Sequence, residues 1–350
     1  MTEENTSLIS YLSVTMATTP TDEIESTSEI TSTWSYEIAS YFQSAIIVIG
    51  IIGVTTNALI LYAMVASNQH KKQMLIFNQN VFDLCSSLLL IITYALKLCN
   101  IYLTGTLGYW ICMLILSDNL LWCSINGSVI NLMSVTFERY LKVVHPGWSK
   151  TFLRNWVRGL AIAFAWIAGA VYNMTVAFLT SVVARGYCQG YLMWQSREAE
   201  LANYVWNFIT FSVVVVFIFI FCYGRILVVI RRQASVMAGH SGPGSSSTQT
   251  QSSQIQSNVI NTMILVSGFY IVSCIPVHIF FLMIHVDTFT INPSHRYKVY
   301  FSLLFFSFLY ICANPFIYAI KFDPVKRVLA DLIPCKKSQQ ADAGVQTITS

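Results

Sequence analysis

The sequence predicts an all-α fold, a bundle of seven transmembrane helices with a short amphipathic membrane-surface helix after the seventh span. Three observations predict it. Seven long apolar runs recur along the 350 residues. Charged residues make up 10% of the chain against about 25% in an average soluble domain, too few to cover a water-facing surface. Lysine and arginine gather on alternate connections between the runs, as the positive-inside rule describes for membrane bundles.

Residues 1–43 form a Thr-, Ser- and Glu-rich tail without lysine or arginine. Such a stretch buries too little apolar surface to fold alone, so it is expected to be disordered. It also lacks the basic start and apolar core of a signal peptide, which leaves insertion to the first helix. The bundle is expected over 44–322, with apolar runs at 44–67, 74–98, 110–144, 157–179, 203–230, 259–284 and 297–320. Each reaches the about 20 residues a helix needs to cross the hydrocarbon layer. Helix is required because lipid offers no partner for an unpaired backbone group.

An odd number of spans puts the termini on opposite sides. Fifteen of the twenty basic residues, from Lys71 and Lys72 through Arg139 and Arg158 to Lys336 and Lys337, fall on the C-tail side; five fall on the other. That asymmetry predicts an extracellular N-terminus and a cytoplasmic C-terminus. Asn5, in Asn5-Thr6-Ser7, is then a glycosylation candidate on the correct side. The Asn126-Gly127-Ser128 sequon lies inside the third run, and Asn173-Met174-Thr175 lies too near a helix end to assign.

Residues 233–257 read as a Ser/Gln/Gly-rich flexible cytoplasmic linker. Residues 323–334 carry apolar positions spaced for an amphipathic surface helix, started by Asp323-Pro324. Cys335 opens the 335–350 tail; it is a palmitoylation candidate, with a plain thiol as the alternative.

Polar residues retained in lipid usually face the bundle interior and often carry function. Asp83 stands near mid-membrane in the second run, either as a hydrogen-bonded structural carboxyl or as a site for a small cation or proton. Asn57, Ser128 and Asn314 lie at compatible depth, so the four are expected to form one polar cluster. Glu138-Arg139-Tyr140 ends the third run; an adjacent acid and base there is either a snorkelling charge pair or a motif. Pro276 and Pro315 interrupt the sixth and seventh runs, where each removes a backbone donor. No paired carboxylates, nucleophile–base set or metal-ligand spacing appears, which argues against an enzyme and a metal site. Nothing points to nucleic acid. A transporter or channel remains a competing class, although no internal repeat is visible.

From about 44 to 335 the chain resembles the rhodopsin-like (class A) G-protein-coupled receptors. Asn57 stands at the first-helix asparagine, NQNVFD (78–83) at the second-helix aspartate motif, and ERYLKVVHP (138–146) at the Asp/Glu-Arg-Tyr motif. Trp166, Tyr223 and Pro276 stand at the marker positions of the fourth, fifth and sixth helices, and Asn314-Pro315-Phe316-Ile317-Tyr318 reads as Asn-Pro-x-x-Tyr.

The resemblance implies a plasma-membrane receptor that binds an extracellular ligand and activates a heterotrimeric G protein, with arrestin as a further partner and membrane lipid around it. It implies a latch in which Arg139 leaves Glu138 and meets Tyr223 and Tyr318. It implies a Cys112–Cys188 disulfide and a sodium ion as a candidate near Asp83. By family position the ligand pocket comprises Asp118, Leu121, Trp122, Asn207, His278, Phe281 and Phe308. The acidic tail favours a peptide ligand, a neuropeptide in the first instance, with a small amine or other small molecule as the alternative.

Departures are visible as well, among them Tyr310 and Ile311 where sodium-binding members often place Asn and Ser. Ser273-Cys274-Ile275-Pro276 lacks the usual tryptophan, Tyr270 replaces a phenylalanine, and Val215 stands where most members have proline. Cys112 lies 27 residues before Arg139, two more than the family habit, so either the cysteine pairs from a shifted position or the third helix is irregular.

Overall fold

The computed structural model describes residues 22–190, 193–239, 247–286, 293–321 and 323–331. Among them, seven helices are long and apolar enough to cross a membrane. Helix α1 is Asp22–Ala66 and α2 is Met74–Leu98. Helix α3, Gly105–Val144, comes in three pieces: Gly105–Ile111, a π-turn segment Cys112–Leu116, and Asn119–Val144. Helix α4 is Asn155–Thr180. Strands β1 (Val182–Ala184) and β2 (Tyr187–Gln189) form an antiparallel hairpin. Helix α5 comprises Arg197–Phe208, a π-turn segment Ile209–Val214, and Val215–Gly239. Helices α6 (Ser247–His285), α7 (Pro293–Lys321) and α8 (Asp323–Asp331) complete the order. Pro276 and Pro315 lie inside α6 and α7.

Several boundaries differ from expectation. The tail expected to lack structure to residue 43 is helical from Asp22. Extending a helix that already exists adds one hydrogen bond per residue without a new nucleus, so composition alone misjudges such a stretch. Residues expected as a flexible linker continue α5 to Gly239 and belong to α6 from Ser247. Asn5 and Cys335 lie outside the described residues.

The extra length before Arg139 is taken up by an irregular α3. The Ser117 amide donates to the Cys112 carbonyl at 2.9 Å, a five-residue step, and Asp118 turns left-handed at φ 59°. Cys112 nevertheless bonds Cys188 of β2, with their Cα atoms 5.1 Å apart. The hairpin turn is Arg185-Gly186, with φ 52° and 80°, the doubly positive pair a two-residue turn demands.

The bundle is inverted relative to a water-soluble protein. Asn57, Gln79, Asn80 and Asp83 are fully buried, whereas Val272 is 73% exposed and Phe217 and Ile220 are each 69% exposed. Apolar surface facing outward and polar groups turned inward is the pattern lipid selects.

Helix α3 is central, packed on α2, α4 and α5, and α1 packs on α2 and α7. One apolar core, including Leu132, Ile226, Met263 and Tyr318, occupies the half toward Arg139. A second, including Leu90, Leu121, Val277 and Phe308, occupies the half toward the disulfide.

Helices α3 and α4 cross where Gly127 meets Gly169. A Cβ on Gly169 would stand 2.7 Å from the Cys123 carbonyl oxygen and 2.8 Å from the Gly127 nitrogen, both backbone atoms. Small residues at such crossings let helix backbones approach in lipid. Gly169→Ala is therefore expected to cost about 1–3 kcal/mol, the usual range for overpacking. Gly159→Ala, on the same helix with open space around it, is expected to be neutral or stabilising. Thermal unfolding of the purified variants checks the contrast.

Candidate functional site

Four of the residues singled out by sequence lie in a buried polar layer, between the two apolar cores by their positions along the helices. Ser128 Oγ donates to Asp83 Oδ1 at 3.1 Å, and Asn314 Nδ2 donates to Asp83 Oδ2 at 2.8 Å. One carboxylate thus joins α2, α3 and α7. Asn57 does not bond Asp83: its amide donates to Gly53 O at 3.0 Å and to Ile311 O at 3.4 Å, tying α1 to α7.

The layer extends further than the sequence suggests. Gln79 Nε2 donates to Ser128 Oγ, and Asn131 Nδ2 donates to Gln79 Oε1 at 2.8 Å. Asn78 Nδ2 donates to Asn131 Oδ1 at 3.0 Å, and Trp166 Nε1 donates to Asn78 Oδ1 at 3.2 Å. Every donor in this chain points toward Asp83, so the dipoles add at the carboxylate. Trp166 also stacks on Phe82, centroids 3.9 Å apart.

At the end of α3 the expected Glu138–Arg139 couple is replaced by other pairs. Glu138 Oε1 binds Lys142 Nζ at 2.7 Å and Arg158 Nε at 3.0 Å. Arg139 Nη2 donates to Gln73 Oε1. Helix geometry explains the exchange: consecutive side chains do not face each other, whereas i and i+4 do. Tyr140 is half-buried against the apolar core, its hydroxyl 3.3 Å from His145 Nε2. The Tyr223 hydroxyl meets Thr136 at 2.9 Å and Ser267 at 3.0 Å, and the Tyr318 hydroxyl is buried without a partner among the described residues.

At the disulfide end a cavity of about 150 Å³ opens between α3, α4, α5, α6 and α7. Asp118, Trp122, Asn207, His278, Phe281 and Phe308 line it, as their family positions imply. Leu121 does not. It is fully buried in the neighbouring core, because it stands about 100° around the helix from Trp122. Sequence reasoning missed Tyr94, Tyr172, Asn173, Asn203 and His285, which also line the cavity. Asn126 and Asn173 were visible only as sequons; the usable signal was an amide inside an apolar run.

The wall is rich in amides. Asn126 Nδ2 donates to Asn173 Oδ1 at 3.3 Å, the Tyr172 hydroxyl donates to Asn203 Oδ1 at 3.1 Å, and Asn207 Nδ2 donates to Tyr172 Oη at 3.4 Å. His278 Nδ1 meets Ser212 Oγ at 3.0 Å. Of the acids near the cavity, Asp118 Oδ2 pairs with Lys97 Nζ at 2.6 Å, and Glu200 Oε1 lies 3.3 Å from His285 Nε2. Tyr204 stacks on His285, centroids 3.7 Å apart.

Comparison with known proteins matches residues 56–318 to the family described as 7 transmembrane receptor (rhodopsin family). The chain belongs to the rhodopsin family of seven-transmembrane receptors. It is similar to a tachykinin-like peptides receptor, 86C, of Drosophila melanogaster, 21% identical over 222 residues, 57% of this chain and 42% of the relative. It is also similar to trace amine-associated receptor 9 of Mus musculus, 23% identical over 236 residues, 64% of this chain and 65% of the relative. The chain therefore spans less than two thirds of either relative. Membership in this receptor family sets aside the enzyme and transporter classes.

One departure of this receptor from its family acquires a structural meaning. Tyr270, 1% exposed, donates its hydroxyl to the Phe211 carbonyl at 2.6 Å. Phe211 lies in the π-turn segment of α5, where the Val215 amide turns to Ser212 O and leaves the Phe211 carbonyl without its helical donor. The phenol supplies that bond and ties α6 to α5. Tyr270→Phe keeps the ring and removes the tie, so it is expected to cost about 1 kcal/mol of receptor stability. Tyr318→Phe removes a hydroxyl that has no partner and is expected to leave stability unchanged or higher. Thermal midpoints of the two variants, measured side by side, check both outcomes.

Proposed function

We propose that this receptor sits in the plasma membrane with the disulfide end outside, binds a peptide in the cavity lined by Trp122 and His278, and activates a heterotrimeric G protein at the Arg139 end. The orientation is supported by the fifteen-to-five distribution of basic residues. Ligand and G protein each bias the same equilibrium between two packings of the bundle, so each strengthens the other's binding. Arrestin is a second cytoplasmic partner on this reading, and Asn5 and Cys335 are the glycosylation and palmitoylation sites.

The observation that carries peptide over amine is the Lys97–Asp118 pair. A primary amine needs a carboxylate that is free to take it, and Asp118 already holds an ammonium at 2.6 Å. Breaking such a partly buried pair leaves Lys97 without a counter-charge, a cost the incoming amine would have to offset. The remaining wall offers amides and hydroxyls, which suit peptide backbone and amide groups. The mouse trace amine-associated relative motivates the amine reading, and Asp118 is the acid that reading would use.

The residues around Asp83 fit a small hard cation such as sodium. Asp83 and Ser128 supply oxygens, and the side-chain oxygens of Asn57 and Asn314 are buried without a donor. When bound, the ion would supply positive charge among α2, α3 and α7. Asp83, Ser128 and Asn314 would hold it and keep those helices together.

Nucleotide exchange by purified G protein with the purified receptor tests the main reading. Peptide fractions are expected to stimulate exchange, and Arg139→Ala to reduce the stimulated rate about tenfold or more, the loss of one charge-assisted contact. Amines are expected to be inactive on the wild type. Stimulation by a primary amine that disappears in Asp118→Asn would establish the amine reading instead.

A further inference from the structure

A second cavity, with a volume of about 520 Å³, opens on the outer side of α3, α4 and α5 in the half toward Arg139. Its walls are almost wholly apolar, including Ile130, Phe137, Ala161, Phe164 and Phe217. Phe137, Phe164 and Phe217 are 53–69% exposed, so this face looks toward lipid rather than into the bundle. Polar side chains enter it at Ser134 and, toward the helix ends, at Glu138 and Arg158.

The charges at that end are unbalanced. Between residues 138 and 158 one acid, Glu138, faces five bases: Arg139, Lys142, Lys150, Arg154 and Arg158. Glu138 is shared by Lys142 and Arg158, so positive charge remains after pairing. Arg158 Nη1 donates to Asn155 Oδ1 at 3.0 Å. Trp148, Phe152 and Trp156 beside it are 69%, 62% and 61% exposed. Exposed aromatic rings at a helix end mark the headgroup depth of a bilayer.

We propose that this cavity is a binding site for an anionic phospholipid of the cytoplasmic leaflet. One acyl chain lies between α3, α4 and α5, and the phosphate sits on Arg158. The inference rests on the orientation proposed above, which puts the Arg139 end at the cytoplasmic leaflet. Basic pockets between helices on that side suit phosphate headgroups, and guanidinium matches phosphate geometry. A phosphate on Arg158 competes with Glu138 for the same cation. The site therefore touches the residue next to Arg139, and headgroup occupancy loosens Glu138 from α4.

The test uses the full-length receptor in nanodiscs of phosphatidylcholine with or without phosphatidylglycerol. The readouts are the thermal midpoint in each lipid and the lipid retained in native mass spectrometry. Phosphatidylglycerol is expected to raise the midpoint and to be retained over phosphatidylcholine. Arg158→Gln is expected to weaken its retention about tenfold. Ala161→Phe keeps every charge and fills the cavity, so it is expected to lose the increment as well. Comparing the two lipids within each variant cancels any change in baseline stability. Lys326→Gln, an exposed cation on α8, is expected to keep the increment. Soluble glycerol phosphate added to phosphatidylcholine discs is expected to give none. An increment that survives in Ala161→Phe, or is absent from the wild type, overturns the proposal. Neither readout involves nucleotide exchange, so this proposal and the signalling reading can fail separately.

Discussion

The bundle depends on how one buried carboxylate is satisfied. Asp83 has no exposure, and its two oxygens are taken by Ser128 on α3 and Asn314 on α7. Lipid cannot substitute for either donor, so those three helices are held in register by a group that is costly to leave unpaired. The amides of Gln79, Asn131 and Asn78 carry the same constraint outward to Trp166 on α4. Apolar packing between helices adds little specificity in lipid, because lipid tails are as apolar as leucine. The polar layer supplies the specificity instead.

The same economy governs charge elsewhere. Asp118 and Glu138 each sit beside a cation, and Glu200 sits 3.3 Å from the His285 imidazole. At the disulfide end this leaves a cavity whose recognition groups are amides, hydroxyls and an imidazole. At the other end it leaves Arg139 on Gln73, while Arg158 divides its contacts between Glu138 and Asn155. A neutral wall at one end and surplus positive charge at the other suit partners of different chemistry.

Helix irregularity is used twice to place side chains. The π-turn and left-handed Asp118 in α3 bring Cys112 to Cys188 despite two additional residues. The π-turn in α5 leaves the Phe211 carbonyl available to Tyr270. In both places a substitution or insertion that looks like a departure from the family is compensated by backbone geometry close by. π-turns of this kind frequently accompany functional sites.

The seven spans, the irregularity of the third helix as one of two options, and four residues of the polar layer, Asn57, Asp83, Ser128 and Asn314, were legible in the sequence, whereas Gln79, Asn131 and Asn78 were not. Hydropathy and the cost of polar groups in lipid act residue by residue along a helix, so a linear reading captures them. What that reading could not supply was partner choice. It paired Glu138 with its neighbour, whereas the helical turn directs it to Lys142 and the packing of α4 brings Arg158 to it. It put Leu121 in the pocket beside Trp122, whereas only one of two adjacent side chains can face the cavity. It did not join Asn126 to Asn173, or Tyr270 to Phe211, because those bonds cross between helices. One-dimensional periodicity determines which elements form and which face lipid. The rotation and depth of each helix against its neighbours decide which polar groups meet, and those exist only once the bundle has packed.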